Sequence, residues 1–262
     1  MPPPNLLPAR RLARLLFALG LGSFTTPVHA QINSTNQVYA HRAEKAFLAA
    51  GLNYATAPDT ATNCWQLGRT AFDWCQFATN DIQRADVAKA GITAGQRLTA
   101  ADPKSAVGHY YLAMDYGELA EAEAPSLAAY RLVKEIEREF QIALKLDPHL
   151  DFAGPDRNLG LLYRDAPGWP ISIGNKWRAY DHLQAAATNA PDYPENLLNL
   201  AESQIKWRMT DDAQKTLHDL DVRWPASQTN FTGEAWQESW EDWIARRAAA
   251  KTEFVRVFRH AP

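Results

Sequence analysis

Two cysteines, seven histidines and a few adjacent acids are the residues of this 262-residue chain with the widest chemical range. Cys64 and Cys75 are the sulfur pair. Their segment places Leu67, Ala71, Trp74, Cys75 and Ala78 on one helical stripe. Eleven residues of helix rise about 16.5 Å, against the roughly 6 Å between Cα atoms that a disulfide permits. The two read as small buried thiols rather than a bridge. No histidine lies four residues from another, and His182 and His218, each beside a stripe residue of a later helix, read as partly buried, hydrogen-bonded imidazoles rather than metal ligands. Asp211 and Asp212 follow Thr210 at a helix start, where carboxylates complement the N-terminal dipole, so capping is the expected role rather than acid–base catalysis. The chain has no His-Glu-x-x-His, no Gly-x-Ser-x-Gly, no phosphate-cradling glycine loop and no Cys-x-x-Cys. A non-catalytic protein without metal or cofactor is expected.

With 46% hydrophobic and 22% charged residues the chain is apolar enough to bury a sizeable core. Its 27 basic and 30 acidic residues leave a formal charge of -3 and no general basic field for nucleic-acid phosphates, so no nucleic-acid partner is expected. Residues 1–30 read as a signal peptide: Arg10, Arg11 and Arg14 form a basic region, Leu15 to Phe24 an apolar one, and Val28-His29-Ala30 a small-residue cleavage site. The apolar part is about ten residues, short of the ~20 that span a bilayer. Cleavage near Ala30 would leave 24 bases against 30 acids in a periplasmic or secreted chain with no membrane span.

Long amphipathic stretches without alternating β-branched runs predict an all-α fold. Four prolines punctuate it: Pro103, Pro148, Pro191 and Pro225. Counting back twelve, eight and five residues from each gives Gly91, Gly95, Leu98; Ile136, Phe140, Ala143; Ala179, Leu183, Ala186; and Ala213, Leu217, Leu220. All twelve are small or apolar and fall on one helical stripe, with the proline expected to end the helix. The helices that follow share His109-xx-Leu112-Ala113-xx-Tyr116, Asp156-xx-Leu159-Gly160-xx-Tyr163 and Leu197-xx-Leu200-Ala201-xx-Gln204. Cys64-xx-Leu67-Gly68-xx-Ala71 is a weaker copy. Small residues at these positions let helices approach to about 8–10 Å.

At these residues the chain resembles the tetratricopeptide repeat (TPR) superfamily. The resemblance implies an all-α, TPR-like α-solenoid of about four helical hairpins over 62–225, with a capping helix and linker in 31–61 and a C-terminal capping helix in 226–262. The segment from Ala153 to Pro167 also looks like exported TPR proteins related to the T component of TRAP solute transporters. The superfamily resemblance implies that first helices line a concave face. Carried over by register, that face comprises Trp65, Arg69, Phe72, Tyr110, Met114, Arg157, Leu161, Arg164, Leu198 and Glu202. Aromatic walls with Arg69, Arg157 and Arg164 suit an extended peptide or a small organic anion, and pairing of the arginines with Asp73, Asp165 or Glu202 is the alternative. The face lacks the lysine and asparagine set of the carboxylate clamp. The functional expectation is a protein- or peptide-binding scaffold; the alternative is an accessory of organic-acid uptake that binds a small anion or a solute-binding protein.

An insertion from Ala166 to Asn175 separates the helices of the third hairpin, and Trp169 and Ile171 are expected to anchor it. Of the nine tryptophans, Trp236, Trp240 and Trp243 read as the buried face of the last helix. Trp74, Trp177, Trp207 and Trp224 read as hairpin packing, which leaves Trp65 and Trp169 as contact candidates.

Overall fold

Short polar side chains set where the helices begin. In the computed structural model, which describes residues 34–258 and side chains from 37 onward, Asn80, Ser105, Ser126 and Asn175 each accept hydrogen bonds from N–H groups of the turn they precede, at 2.9 to 3.2 Å. The helices are α1 (Ser34–Thr56), α2 (Ala61–Cys75), α3 (Asp81–Ala101), α4 (Ala106–Ala122), α5 (Leu127–Leu146), α6 (Leu150–Asp165), α7 (Lys176–Asn189), α8 (Pro194–Lys206), α9 (Thr210–Asn230) and α10 (Gln237–Phe258). A 3-10 turn at Glu234–Trp236 precedes α10. Among the described residues the extended pairing is a single bridge between Gly168 and Gly174, so the fold is all-α. The signal peptide and its cleavage site lie outside the described residues. No described helix is long and apolar enough to cross a membrane.

Successive helices α2 with α3, α4 with α5, α6 with α7 and α8 with α9 form four hairpins between the terminal helices α1 and α10. All twelve stripe residues are buried on the second helices, where a fully buried Leu, Ile or Phe contributes about 1.5–3 kcal/mol. Cys64 and Cys75 are buried, free thiols on one unbroken α2. Burial drives the Cys75 thiol well above its ordinary range. Pro225 departs from the sequence pattern: α9 runs through it to Asn230. The residues beyond that proline anchor the extension, since Ser227 Oγ donates to the Asp192 carbonyl at 2.7 Å. The terminal helices are also longer or differently bounded than the apolar clusters imply, α1 extending from Ser34 to Thr56 and α10 beginning only at Gln237.

The described chain divides into two compact units. One comprises residues 34–147 with the 165–174 loop, the other residues 148–164 with 175–258. In the N-terminal unit, α4 is covered by α2, α3 and α5, and every residue from Gly108 to Glu118 is buried. The Asp115 carboxyl lies between two glycines. A Cβ at Gly91 would collide with Asp115 Oδ2, and one at Gly68 would meet it at 3.2 Å. Neither Asp115 oxygen has a hydrogen-bond partner among the described residues. Burial therefore holds this group well above the usual carboxylate range, helped by Glu118 and Asp73. Nearby, Arg84 Nη1 donates to Glu118 Oε2 at 2.6 Å and Gln76 Nε2 to Glu118 Oε1 at 2.6 Å.

In the C-terminal unit, rings pack at the turn into α6 and along α10. Phe152 stacks on Tyr193 with centroids 4.8 Å apart, and Phe231, Trp236 and Trp243 surround them edge-on. Three consecutive residues here, Asp151, Phe152 and Ala153, have φ of 53°, 53° and 62°. None is glycine, and left-handed backbone costs such residues about 1–2 kcal/mol each.

Candidate functional site

The residues assigned by register to a concave face divide sharply by accessibility. Phe72, Tyr110, Met114, Leu161 and Leu198 are buried core residues, which corrects their assignment as groove lining. The reason lies in α4 and α8, both of which are covered on nearly every side. In α8 all residues from Pro194 to Ala201 are buried beneath α7, α9 and α10. A periodic apolar stripe shows that a helix has a buried face but not how many faces are buried.

Arg157 is corrected too. It is buried, and its guanidinium holds the left-handed turn: Nη1 donates to the carbonyls of Asp151 at 3.1 Å and Phe152 at 3.2 Å, and Nη2 to Asp151 Oδ2 at 2.7 Å. Asn196 Nδ2 completes the clasp on the Phe152 carbonyl at 2.9 Å, and the guanidinium lies 5.1 Å over the Tyr193 ring. This arginine is a structural tie, and its cation faces no open surface.

Arg164 is partly exposed and donates to Ser203 Oγ at 3.3 Å. Glu202 is bound by an arginine absent from the sequence-derived set. Arg246 of α10 reaches it through Nε and Nη2, each at 2.8 Å, while Nη2 also donates to Asn199 Oδ1 at 2.6 Å. Burial opposes the charge of Arg246, and Glu202 and Glu195 more than restore it. The signal was present in the spacing, since Arg246 follows the buried Trp243 by three residues and precedes the buried Ala250 by four. Arg247, the next residue of α10, instead binds Asp221 and covers the Trp224 ring at 4.3 Å.

Two more of these residues stay accessible in the N-terminal unit. Trp65 and Arg69, one turn apart on α2, join Gln66 and Thr70 in a notch of about 250 Å³ against Ala46, Ala49, Ala50 and Asn53 of α1. Trp65 stacks on Tyr111 with centroids 6.4 Å apart and planes 17° from parallel, which fixes the indole. Arg69 sits 3.7 Å from Asp73 and keeps 20% of its side chain exposed, so the pairing anticipated with Asp73 is present. The notch combines an ordered aromatic face, a guanidinium, an amide and a hydroxyl along one helix edge. The guanidinium and the amide can donate to peptide carbonyls and carboxylates beside an apolar contact, while the Thr70 hydroxyl, which donates to the Gln66 carbonyl at 2.8 Å, can accept from a peptide N–H.

The 165–174 loop reverses the anchoring expectation. Trp169 is 89% exposed and Ile171 67% exposed. Backbone bonds hold the loop instead: Gly174 N–H donates to Pro167 O at 2.9 Å and Ile171 N–H to Gly168 O at 3.1 Å. A Cβ at Gly174 would run into the Ala166 carbonyl oxygen, so only glycine closes the loop this tightly. Trp177 is likewise exposed on the first turn of α7, beside Lys176, and does not pack into its hairpin.

No protein-family model matches the sequence, and no curated protein matches it. Among solved structures, the thermophilic TPR protein TTC0263 of Thermus thermophilus is similar at a TM-score of 0.59 and 19% identity, over 82% of this chain and 94% of that one. Yeast Tom70 aligns at a TM-score of 0.31 and 10% identity, over 92% of this chain and 69% of its own, a likeness too slight to carry argument. The four hairpins and the first of these likenesses give the chain a TPR-like all-α fold.

Proposed function

We propose that this chain is an exported, non-catalytic scaffold of the bacterial periplasm that binds an extended peptide segment of a partner protein at the α1/α2 notch. The observation that carries the reading is the pairing of Trp65, held by Tyr111, with the partly exposed Arg69 on the same helix edge. TPR-like folds suit protein scaffolding because stacked hairpins present long helix edges. Export rests on the basic, apolar and small-residue succession of residues 1–30.

The organic-anion alternative draws less support, because Arg157 is committed to the Asp151 turn and Arg164 donates to Ser203. Capture from envelope extract tests the proposal, with parent protein set against a Trp65→Ala, Arg69→Ala double variant. The expected result is a partner retained by the parent and lost by the variant while both melt alike. The same captured set with both proteins would overturn it.

A further inference from the structure

A second recess, of about 470 Å³, lies in the C-terminal unit, apart from the α1/α2 notch. It is walled by α7 and α9 and floored by α8, where Ala187, Leu197 and Leu200 supply an apolar base. Much of the charge on the α9 wall is already paired within the protein. Lys215 Nζ donates to Asp219 at 2.8 Å and Arg223 Nη1 to Asp192 at 3.1 Å.

At the other end of the recess, Asp212, Gln204 and Tyr180 come together. The Gln204 side-chain amide donates to the Tyr180 hydroxyl, while burial first, then the Asp212 charge, raises the Tyr180 pKa. The Asp212 carboxylate takes no hydrogen bond or ion pair from any described residue. Gln204 is 2% exposed, lines the recess, and its Oε1 has no hydrogen-bond partner among the described residues. A buried amide oxygen left in this state costs about 1–3 kcal/mol. The available hydrogen-bonding capacity at this end is therefore acceptor capacity; the Asp212 charge is met only through space, by Lys215, whose own hydrogen bond goes to Asp219.

We infer that this recess is a binding site for a small organic monocation, a primary ammonium carried on an apolar stem. An ammonium has three N–H donors, and the site offers the Asp212 carboxylate and Gln204 Oε1, with the second lone pair of the Tyr180 hydroxyl, which already accepts from the Gln204 amide, as the third acceptor. The stem lies over Leu200, Leu197 and Ala187. An anion is disfavoured because Lys215 and Arg223 already have carboxylate partners, and a neutral polyol brings no charged donor to the Asp212 carboxylate, which no described residue hydrogen-bonds.

The test uses n-butylammonium as probe, with n-butanol and butyrate as its uncharged and anionic counterparts, followed by ligand-observed NMR on the full chain. n-Butylammonium is expected to saturate in the millimolar range, with each counterpart at least about fivefold weaker. Asp212→Asn should weaken the ammonium about tenfold. Asp211→Asn, which alters the same helix turn outside the recess, should leave binding unchanged, so loss of affinity is separated from loss of the helix start. Gln204→Leu, melting like the parent, should also weaken binding. Equal binding of the three probes, undiminished binding by Asp212→Asn, or no ammonium binding at tens of millimolar would each overturn the assignment.

Discussion

His182 on α7 binds Asp156 on α6 through Nδ1 at 2.8 Å, and the neighbouring hairpin carries the same bond with its partners exchanged. There His109 begins the first-helix signature and Glu139 stands one residue before the stripe residue Phe140, with Nδ1 to Oε2 at 2.5 Å. Asp156 begins its own signature and His182 stands one residue before Leu183. One register position thus takes an imidazole–carboxylate pair in either orientation, while Cys64 with Ala94 fills the equivalent place in an apolar hairpin.

That equivalence predicts a rescue. His109→Ala and Glu139→Ala should each cost about 1–3 kcal/mol by urea unfolding, the first because Glu139 Oε2 loses its partner while Arg138 still holds Oε1 at 2.7 Å, the second because a buried imidazole nitrogen is left unmatched. The exchanged double variant, H109E with E139H, should recover at least half of that loss. It will fall short of full recovery because His109 Nε2 also contacts the Pro103 carbonyl at 3.1 Å. A double variant no more stable than the singles would refute the equivalence.

Removing the clasp on the left-handed turn should be severe. Arg157→Ala strips three backbone or carboxylate partners and leaves Asp151 buried without its ion pair, a loss of about 3–5 kcal/mol. Arg157→Lys should recover part of it, since a single ammonium reproduces the charge but not the fork. Urea midpoints followed by tryptophan emission measure both.

The buried acids of the N-terminal unit set a pH dependence. Burial lifts the Glu118 pKa from 4.5 to about 7, the Arg84 pairing opposing it. A carboxyl that binds its proton more tightly when folded stabilises the fold at low pH, and this contribution is lost as pH rises from about 4.5 to about 7. Asp115, also raised, acts in the same direction. Melting temperature should therefore fall across that window. Asp115→Asn, neutral at every pH, should flatten the slope and melt at least as high as the parent at pH 8. An unchanged slope would remove Asp115 from the account.

Gly91→Ala should destabilise by about 1–3 kcal/mol, because the added methyl collides with the Asp115 carboxyl and sits 2.9 Å from Ala71 Cβ. Combining it with Asp115→Ala should relieve most of that cost in a thermal melt.

Arg208 closes α8 at φ 58°, with Met209 N–H donating to the Gln204 carbonyl at 2.9 Å. Glycine takes that conformation without a Cβ penalty, so Arg208→Gly should raise stability by about 0.5–1 kcal/mol, read as a higher denaturant midpoint.

The hairpins are legible in the sequence because their stripes obey one period and their starts carry Ser or Asn. The candidate site is less so. Register names Trp65 and Arg69, which line a notch, together with Tyr110 and Leu198, which are core, because the same spacing serves a helix with one covered face and a helix with several. The turn at Asp151 to Ala153 gives no warning, since its residues are not glycine and its support combines Arg157 with Asn196, the latter more than forty residues away. Trp169 departs from expectation because loop aromatics usually pack, whereas here backbone hydrogen bonds close the loop unaided.

Cys64 and Cys75 give the protein a chemical clock. Both thiols lie in the N-terminal unit, buried and free, so alkylation can proceed only when that unit opens. Six of the nine tryptophans, including the Trp224, Trp236, Trp240 and Trp243 group, lie in the C-terminal unit. Thiol labelling therefore times the opening of the N-terminal unit, while indole emission, with three tryptophans there and six in the C-terminal unit, follows both with the greater weight on the second, all in the unmodified protein.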